Sequence, residues 1–573
     1  MQAQILPGPR TLTKTILIVI ALAFEFPGVA TRVATLGLSA PLVLFLGLYC
    51  GLLACLWSAA FIRIAALRWG WALLFALAAV LIGTFQDATA DAMSYDAFVT
   101  MINSAGFADD AFAQYAAALV WAAAGAAFLL VGVGLKPDAR TRVPGIVAMT
   151  APFAGLAVLT VLLFARGGEG GRGIPGAWTG MAYAALAGFE AATRPSTTHQ
   201  PVRIARDRKG QPGDIVLIID ESIAARYLDI NDPAGVRSGL ASPPPGISVG
   251  NFGIAAAITH CSFGSNLTLR HGGTREGYQR INATMPSIFD YAKRAGFATI
   301  YIDAQRTGGA YQNGMDDAER RAIDRFVQFD DTPVVDRDMA AADTLIAALN
   351  NGRREFILIN KMGAHFPVAD KYPDSARIFA PALPRDETTA TTDTRIPKNL
   401  YVGAGSWRLY RNSYRNTVAW TVGGFFDRLF ATARLDGALI VYTSDHGQNL
   451  HERGDSGTTT HCNPAPAVEE GAVPLVVIAA TPRWNAAAKS HFDASSHYRI
   501  FPALLDAMGY DAAEVRRQYG EALDAPKADP ATFNRLFNAR LGRKPIWVGV
   551  ERAALARPPV SDYPVADAAT AQP

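Results

Sequence analysis

Four short segments in the second half of the sequence carry side chains able to bind metal ions. Asp220 and Glu221 close the run "DIVLIIDE", His365 lies in "NKMGAHFP", Asp445 and His446 are adjacent in "TSDHGQN", and His461 sits in "TTTHCNP". Zinc takes carboxylate oxygen and imidazole nitrogen in tetrahedral sites, so this set, with one hydroxyl added, suits one or two Zn2+ ions, Mn2+ being the poorer match. An adjacent Asp-His pair at a strand end can direct both side chains to one ion, because strict alternation lapses there. A lone Asp-His is more often a turn, and a lone Glu after a strand a helix cap. The argument rests instead on several donor types collected in one domain. All nine histidines lie at or beyond His199, which confines this chemistry to the C-terminal part.

The elements that must position these donors are short β-branched runs separated by helical stretches and Gly/Pro turns. Strands are expected over 214–220, 298–303, 355–360, 437–445 and 473–479. This is the pattern of a mostly parallel sheet covered on both faces, an α/β fold over residues 213–557, with a frayed tail over 558–573. In open parallel sheets ligands bind beyond the carboxyl ends of the strands, where three of these runs deliver their donors.

Upstream the composition changes. Half of all residues are apolar, mean hydropathy is +0.14 and only 18% are charged, which excludes a disordered chain and places part of the protein in lipid. Apolar runs over 12–30, 36–62, 69–85, 113–135 and 145–164 predict a five-helix transmembrane domain over 1–166, a span needing about 20 residues. Glu25 and Pro27 interrupt the first run, and an acid at that depth must be paired or face an aqueous cavity. No small-residue cleavage site follows, so the run reads as a span and not as a cleaved signal.

Arg10, Lys14, Arg63, Arg68, Lys136, Arg140 and Arg142 fall on one side of the spans, whereas the short loops of the other side carry only Arg32. The first side is cytoplasmic by the positive-inside rule, and five crossings put everything after Phe164 outside. Residues 86–112 read as an external acidic loop. Residues 167–212 read as an interfacial helix and linker: the helix, over 177–192, lies on the bilayer surface or packs against the domain, and a polar linker ends near Pro212. The 53 basic and 50 acidic residues leave a net charge of +3, no field for a nucleic-acid partner. Four cysteines exclude a disulfide-built fold.

Taken in order, the strand ending in Glu221, "MGAHFP" with "KYP" after it, "SYRNTVAWTVGGFFDRLF", "YTSDHGQNL", "EGAVPLVVIA" and "SHYRIFPALLDAMG" resemble the lipid A phosphoethanolamine transferases. These are alkaline-phosphatase-like, sulfatase-domain transferases of bacterial envelopes, and the resemblance covers most of the chain. It implies five helices in the inner membrane followed by a periplasmic catalytic domain. Glu221, Asp445 and His446 then correspond to ligands of the catalytic zinc, and His365 and His461 to outer histidines that bind substrate phosphate or a second zinc. The nucleophile falls in "AITHCSFGSNLTLRHG", where the best registration selects Ser262, itself a metal ligand; Thr259, Ser265 and Thr268 remain alternatives. A hydroxyl becomes a nucleophile when a metal stabilises its alkoxide, and the implied path runs through a covalent phospho-serine. The implied partners are a phospholipid donor and an envelope lipid or glycan acceptor, and the protein is expected to be a monomer.

Several residues depart from that pattern. Gln448 stands where the family commonly has Glu, which bears on a contact to a cationic head group and keeps phosphoglycerol transfer as the alternative. His497, in "SHYR", is read as structural. "CSFGS" lacks the Pro and Arg of a sulfatase nucleophile motif, which disfavours sulfate-ester hydrolysis. Cys261 and Cys462 adjoin expected site residues, so they form a disulfide if both flank one site, or remain two buried thiols. A catalytically silent membrane scaffold would require a broken metal set, and the set is complete.

Overall fold

The computed structural model describes residues 8–89, 92–103, 108–139, 143–193, 198–207, 213–309, 314–385, 404–454, 459–463 and 465–560. Contacts divide the chain into a helical unit built on Met1–Pro195 and an α/β unit that begins at Ser196.

The helical unit contains α1 (Pro9–Phe24), α2 (Phe26–Leu36), α3 (Ala40–Ala59), α4 (Ala65–Thr89), α5 (Tyr95–Asn103), α6 (Ala108–Gly134), α7 (Gly145–Ala165) and α8 (Gly176–Thr193). Among the described residues four of them, α3, α4, α6 and α7, are each long and apolar enough to cross a membrane, and α1 with α2, bent by 62° at their junction, make a fifth if the pair is one span. Large apolar side chains such as Leu44, Leu77, Val120 and Ile146 remain exposed on these helices, as suits contact with lipid tails.

The single span expected over 12–30 is therefore broken at Glu25. Pro27 opens α2, where its missing N–H costs no helical bond, and Glu25 Oε2 accepts the amide of Gly176 at 2.9 Å. Glu25 also lines a cavity of about 40 Å³ together with Gln86 and Asp87, so the acid is both paired and beside polar groups. Lys14 Nζ donates to the carbonyls of Val133 and Leu135, and Arg68 Nε to that of Gly134. Both cations thus cap the C-terminus of α6, where the helix dipole favours positive charge. That places Lys14, Arg68 and the end of α6 at one end of the bundle, as the charge pattern requires.

One expectation for this unit is corrected, and one pair of alternatives is decided. Residues 86–112 are not one loop: α4 runs on to Thr89, and α5 and the start of α6 occupy most of the rest. Asp91 and residues 104–107 of that stretch, like Arg140 and Arg142, lie outside the described residues. The helix predicted over 177–192 packs instead of lying on a surface, since Ala177, Trp178, Thr179, Ala182 and Tyr183 are all buried. The Trp178 indole donates to the carbonyl of Leu52. Much of the expected linker is likewise bound: the amides of Gln200 and Asp207 donate to the carbonyls of Thr284 and Gly509. The linker's end at Pro212, and the tail from residue 561, lie outside the described residues.

The α/β unit is built on a seven-stranded sheet of β1 (Asp214–Asp220), β2 (Ser248–Ala256), β3 (Ala298–Asp303), β4 (Arg325–Gln328), β5 (Glu355–Asn360), β6 (Ala438–Ser444) and β7 (Ala472–Ala479). The order is β2-β7-β6-β1-β5-β3-β4, and β7 alone runs against the rest. Every residue of β1 is buried: Val216 and Ile218 pack into the core on one face, Ile215, Leu217 and Ile219 into the core on the other. This two-sided burial is why β1 reads as a continuous apolar run. With β6 on one side and β5 on the other, the end of β1 meets the ends of both neighbours, Asp220 pairing with Ser444 and Ile219 with Asn360.

After β2 the chain bends through residues 257–260, and Cys261, in an extended conformation, leads into α9 (Ser262–His271). The far end of α9 is anchored by a buried ion pair, Arg270 Nε to Glu319 Oε1 at 2.6 Å, with His271 Nε2 3.4 Å from the other carboxylate oxygen. Replacing Glu319 with Ala leaves a buried guanidinium unpaired. Thermal unfolding is expected to show a loss of about 3–5 kcal/mol, and a loss below about 1 kcal/mol would mean that water reaches this pair.

Candidate active site

Six segments converge at the carboxyl edge of the sheet. Glu221 follows β1, Asp445 and His446 follow β6, Lys361 to His365 follow β5, Gln305 follows β3, Ser262 opens α9, and His461 lies between β6 and β7. The turn after Glu221 places Ser222 at φ 61°, a left-handed conformation costly for a non-glycine residue. It is held by the Tyr414 hydroxyl, which donates to the Ser222 carbonyl at 2.8 Å, and by the Ser222 amide, which donates to Asp445 Oδ1 at 3.0 Å.

One oxygen from each of Glu221 and Asp445 and one nitrogen of His446 lie within 4.8 Å of one another. The Ser262 hydroxyl is 3.2 Å from Glu221 Oε1, 3.4 Å from Glu221 Oε2 and 3.2 Å from His446 Nε2. The other hydroxyls of the loop are turned elsewhere. Ser265 Oγ donates to the Thr259 carbonyl, Thr268 Oγ1 to Asn282, and Thr259 Oγ1 meets His260 Nδ1.

The donor set fits a metal ion. Asp445 uses Oδ1 on the amides of Ser222 and His446, while its buried Oδ2 has no hydrogen-bond partner among the described residues. His446 Nδ1 lies 2.8 Å from the Gly447 carbonyl, which directs Nε2 toward Glu221 and Ser262. Gly447 is required here because a Cβ would come within 2.2 Å of the Glu469 carbonyl oxygen.

The electrostatics point the same way. Burial works against charge on Glu221, yet the hydrogen bond and charge of His446, with smaller effects of His365 and His461, hold its carboxyl well below the usual range. Burial, then the charge of Glu221, push Asp445 up to about 7. Burial also opposes charge on His446, but Asp445 and Glu221 overcome it and raise the imidazole to about 9. Two carboxylates packed this closely call for positive charge between them.

The remaining predicted residues surround this centre. The His461 ring stacks on that of His446 with centroids 4.3 Å apart, and burial, then the His446 charge, keep it well below its ordinary pKa. His365 is half-buried, with Nδ1 2.8 Å from the Phe366 carbonyl. Gln448 is buried, and its Oε1 has no partner among the described residues. His497 accepts the Ile258 amide on Nδ1 and meets Thr443 Oγ1 at 2.8 Å, a structural bridge between strand ends. Cys261 and Cys462, 201 positions apart, are joined by a disulfide that ties the residue before Ser262 to the residue after His461.

Gln305 was not among the predicted residues. Its Nε2 donates to Glu221 Oε2 at 3.1 Å and to the Lys361 carbonyl at 2.8 Å. It follows a strand, the position that flagged the other donors, but a search for charged and imidazole ligands passes over an amide. Gln305→Ala removes the shorter of two hydrogen bonds to Glu221 Oε2 and is expected to weaken metal affinity by about 10–100-fold, measured by chelator competition; unaltered affinity would show that Gln305 does not orient Glu221.

Comparisons with known proteins bear on the family and the fold. The chain is 27% identical over 214 residues to the Kdo(2)-lipid A phosphoethanolamine 7''-transferase of Escherichia coli K12, covering 36% of this chain and 34% of that protein. It is 26% identical over 230 residues to the enzyme of the same name from Salmonella typhimurium, covering 38% and 36%. The chain thus spans about a third of the length of these curated relatives. The integral membrane protein lipooligosaccharide phosphoethanolamine transferase A of Neisseria meningitidis superposes with a TM-score of 0.60 at 18% identity, covering 88% of this chain and 96% of that one. At that identity the likeness is one of fold: apolar helices, then an alkaline-phosphatase-like domain. The Sulfatase family model matches residues 214–510, more than half the chain, and the protein therefore belongs to the sulfatase family.

Proposed function

We propose that this protein is an inner-membrane, zinc-dependent transferase that moves phosphoethanolamine from a phospholipid donor to an envelope lipid or glycan such as lipid A. In this reading the α/β unit works in the periplasm and the helices keep it within reach of lipid headgroups. The observation that carries the proposal is the Ser262 hydroxyl, 3.2 Å from both Glu221 Oε1 and His446 Nε2. The relatives named above support the phosphoethanolamine head group. The family's sulfatase chemistry is disfavoured because "CSFGS" lacks the Pro and Arg of the formylglycine motif.

Glu221, Ser262, Asp445 and His446 would hold the ion, and zinc bound there would stabilise the Ser262 alkoxide and neutralise charge on the phosphoryl oxygens. Ser262 sits in the first turn of α9, whose unpaired amides favour an anion at that end. His461 and His365 stand ready to donate hydrogen bonds to the phosphoryl group. Ser262 Oγ, its proton released to solvent, attacks phosphorus in line; the bond from phosphorus to the diacylglycerol oxygen breaks, and that oxygen takes a proton from solvent as the alcohol leaves. An acceptor hydroxyl then gives up its proton and attacks the phospho-serine from the vacated side, forming its own bond to phosphorus as the bond from Ser262 Oγ to phosphorus breaks and Ser262 takes up a proton.

Mass spectrometry of envelope lipids with and without the gene tests the reading. Loss of a phosphoethanolamine increment on deletion is expected. Loss of a phosphoglycerol increment would reassign the head group, and an unaltered lipid profile would contradict the proposal.

A further inference from the structure

Lys361 follows β5 directly and is fully buried. Its Nζ donates to Asp220 Oδ2 and to the Thr421 carbonyl, both at 2.6 Å, lies 3.7 Å from Asp338 Oδ2, and stands 4.7 Å from the centroid of the Phe425 ring. Burying an ammonium and two carboxylates together is costly, and such clusters persist where every charge is paired. The transfer steps derived above make no use of this cluster.

What it touches is the support of one metal donor. Asp220 Oδ1 accepts the amide of Glu221 at 3.1 Å. The Lys361 carbonyl accepts from Gln305 Nε2, whose amide group also reaches Glu221 Oε2. The Lys361 amide donates to the Ile219 carbonyl and the Ala364 amide to that of Glu221, each at 2.9 Å. Asp338 accepts the amides of Met362 and Gly363 at 2.8 and 3.0 Å. The loop lies flush on the Glu221 peptide: at Gly363, φ 50°, a Cβ would come within 2.3 Å of Asp220 Oδ1 and 2.6 Å of the Glu221 carbonyl oxygen. Lys361 is therefore linked to the Glu221 backbone through Asp220 and to its carboxylate through Gln305.

We propose that Lys361 is a positioning residue for the metal centre: its buried ammonium, held between Asp220 and Asp338, locks the loop after β5 onto the end of β1 and keeps the Glu221 carboxylate in its ligating orientation. The inference rests on the reading of Glu221, Asp445 and His446 as metal ligands, and a side chain that supports a ligand typically changes metal affinity by about 10–100-fold when removed.

The test uses the full-length protein purified in detergent, with zinc affinity measured by chelator competition and stability of the zinc-free protein by thermal unfolding. Lys361→Met is expected to weaken zinc binding by about 10–100-fold and to lower kcat with little change in KM for the donor lipid. It also leaves Asp220 without its cation, so the double variant Lys361→Met/Asp220→Asn is compared with Asp220→Asn alone. The double variant is expected to melt close to the single one while binding zinc at least about 10-fold more weakly. Wild-type zinc affinity in Lys361→Met, or equal zinc affinity in the single and double variants, would overturn the proposal, as would failure of both lysine variants to fold, which would assign Lys361 to stability alone. A wild-type protein that takes up no zinc would instead overturn the metal reading on which the inference stands.

Discussion

Alanine at position 262 is expected to lower head-group transfer by at least ~10³-fold while the melting temperature holds and the three remaining ligands, Glu221, Asp445 and His446, retain most of the zinc. The substitution removes one oxygen from a half-buried side chain at the start of α9, and Glu221 keeps its hydrogen bonds from Ser222 and Gln305. No other hydroxyl of this loop is placed to replace it, because those of Thr259, Ser265 and Thr268 are each engaged with other partners, and the buried Ser222 hydroxyl is committed to Glu221 Oε1. Transfer assayed with purified protein and lipid donor checks this outcome. Full activity in Ser262→Ala would move the nucleophile elsewhere.

The second large effect is on metal content. Asp445→Asn and His446→Ala are each expected to lower zinc occupancy by more than the ~10–100-fold in affinity that residues supporting a ligand contribute. Asn at 445 keeps an oxygen for the amides of Ser222 and His446, so the loop stays formed while the position of Oδ2, which accepts no hydrogen bond among the described residues and lies 3.6 Å from His446 Nε2, loses its charge. Ala at 446 removes the nitrogen 3.2 Å from Ser262 Oγ and the ring on which His461 stacks. Metal analysis of purified variants by mass spectrometry reads both, and wild-type stoichiometry in either would contradict its assignment as a ligand.

The parts of the fold that were legible in the sequence are those where one physical signal dominates. Strands β1, β3, β5, β6 and β7 are buried runs of β-branched and aliphatic residues, and their limits were readable to within a residue. By contrast β2 was missed, since "SVGNFGIAA" mixes Gly and Asn with few β-branched residues and carries a bulge between Asn251 and Ile254. Strand β4 is four residues at a sheet edge, too short to produce a pattern. That β7 runs against its neighbours was not readable, because direction depends on long-range pairing. The break at Glu25 was signalled by Glu25 and Pro27, but its partner, the Gly176 amide, is 151 positions away.

The same distinction applies to the site. Glu221, Asp445 and His446 are chemically conspicuous and stand at strand ends, so residue type and position marked them as candidates beside Asp220, His365 and His461, and the family resemblance singled them out as ligands of one ion. Ser262 came from a motif resemblance, since nothing local separates it from Ser265; only the fold shows which hydroxyl faces Glu221. Gln305 and Lys361 were passed over because their roles lie in the contacts they make and not in their capacity to bind an ion.

Peptide mass spectrometry of the purified enzyme, quenched during turnover of phosphatidylethanolamine, tests the central claim most directly. The account predicts a phosphoethanolamine adduct on the peptide containing Ser262, absent from Ser262→Ala and discharged when acceptor is added. An adduct on a different residue, or rapid turnover with no adduct on any residue, would contradict it.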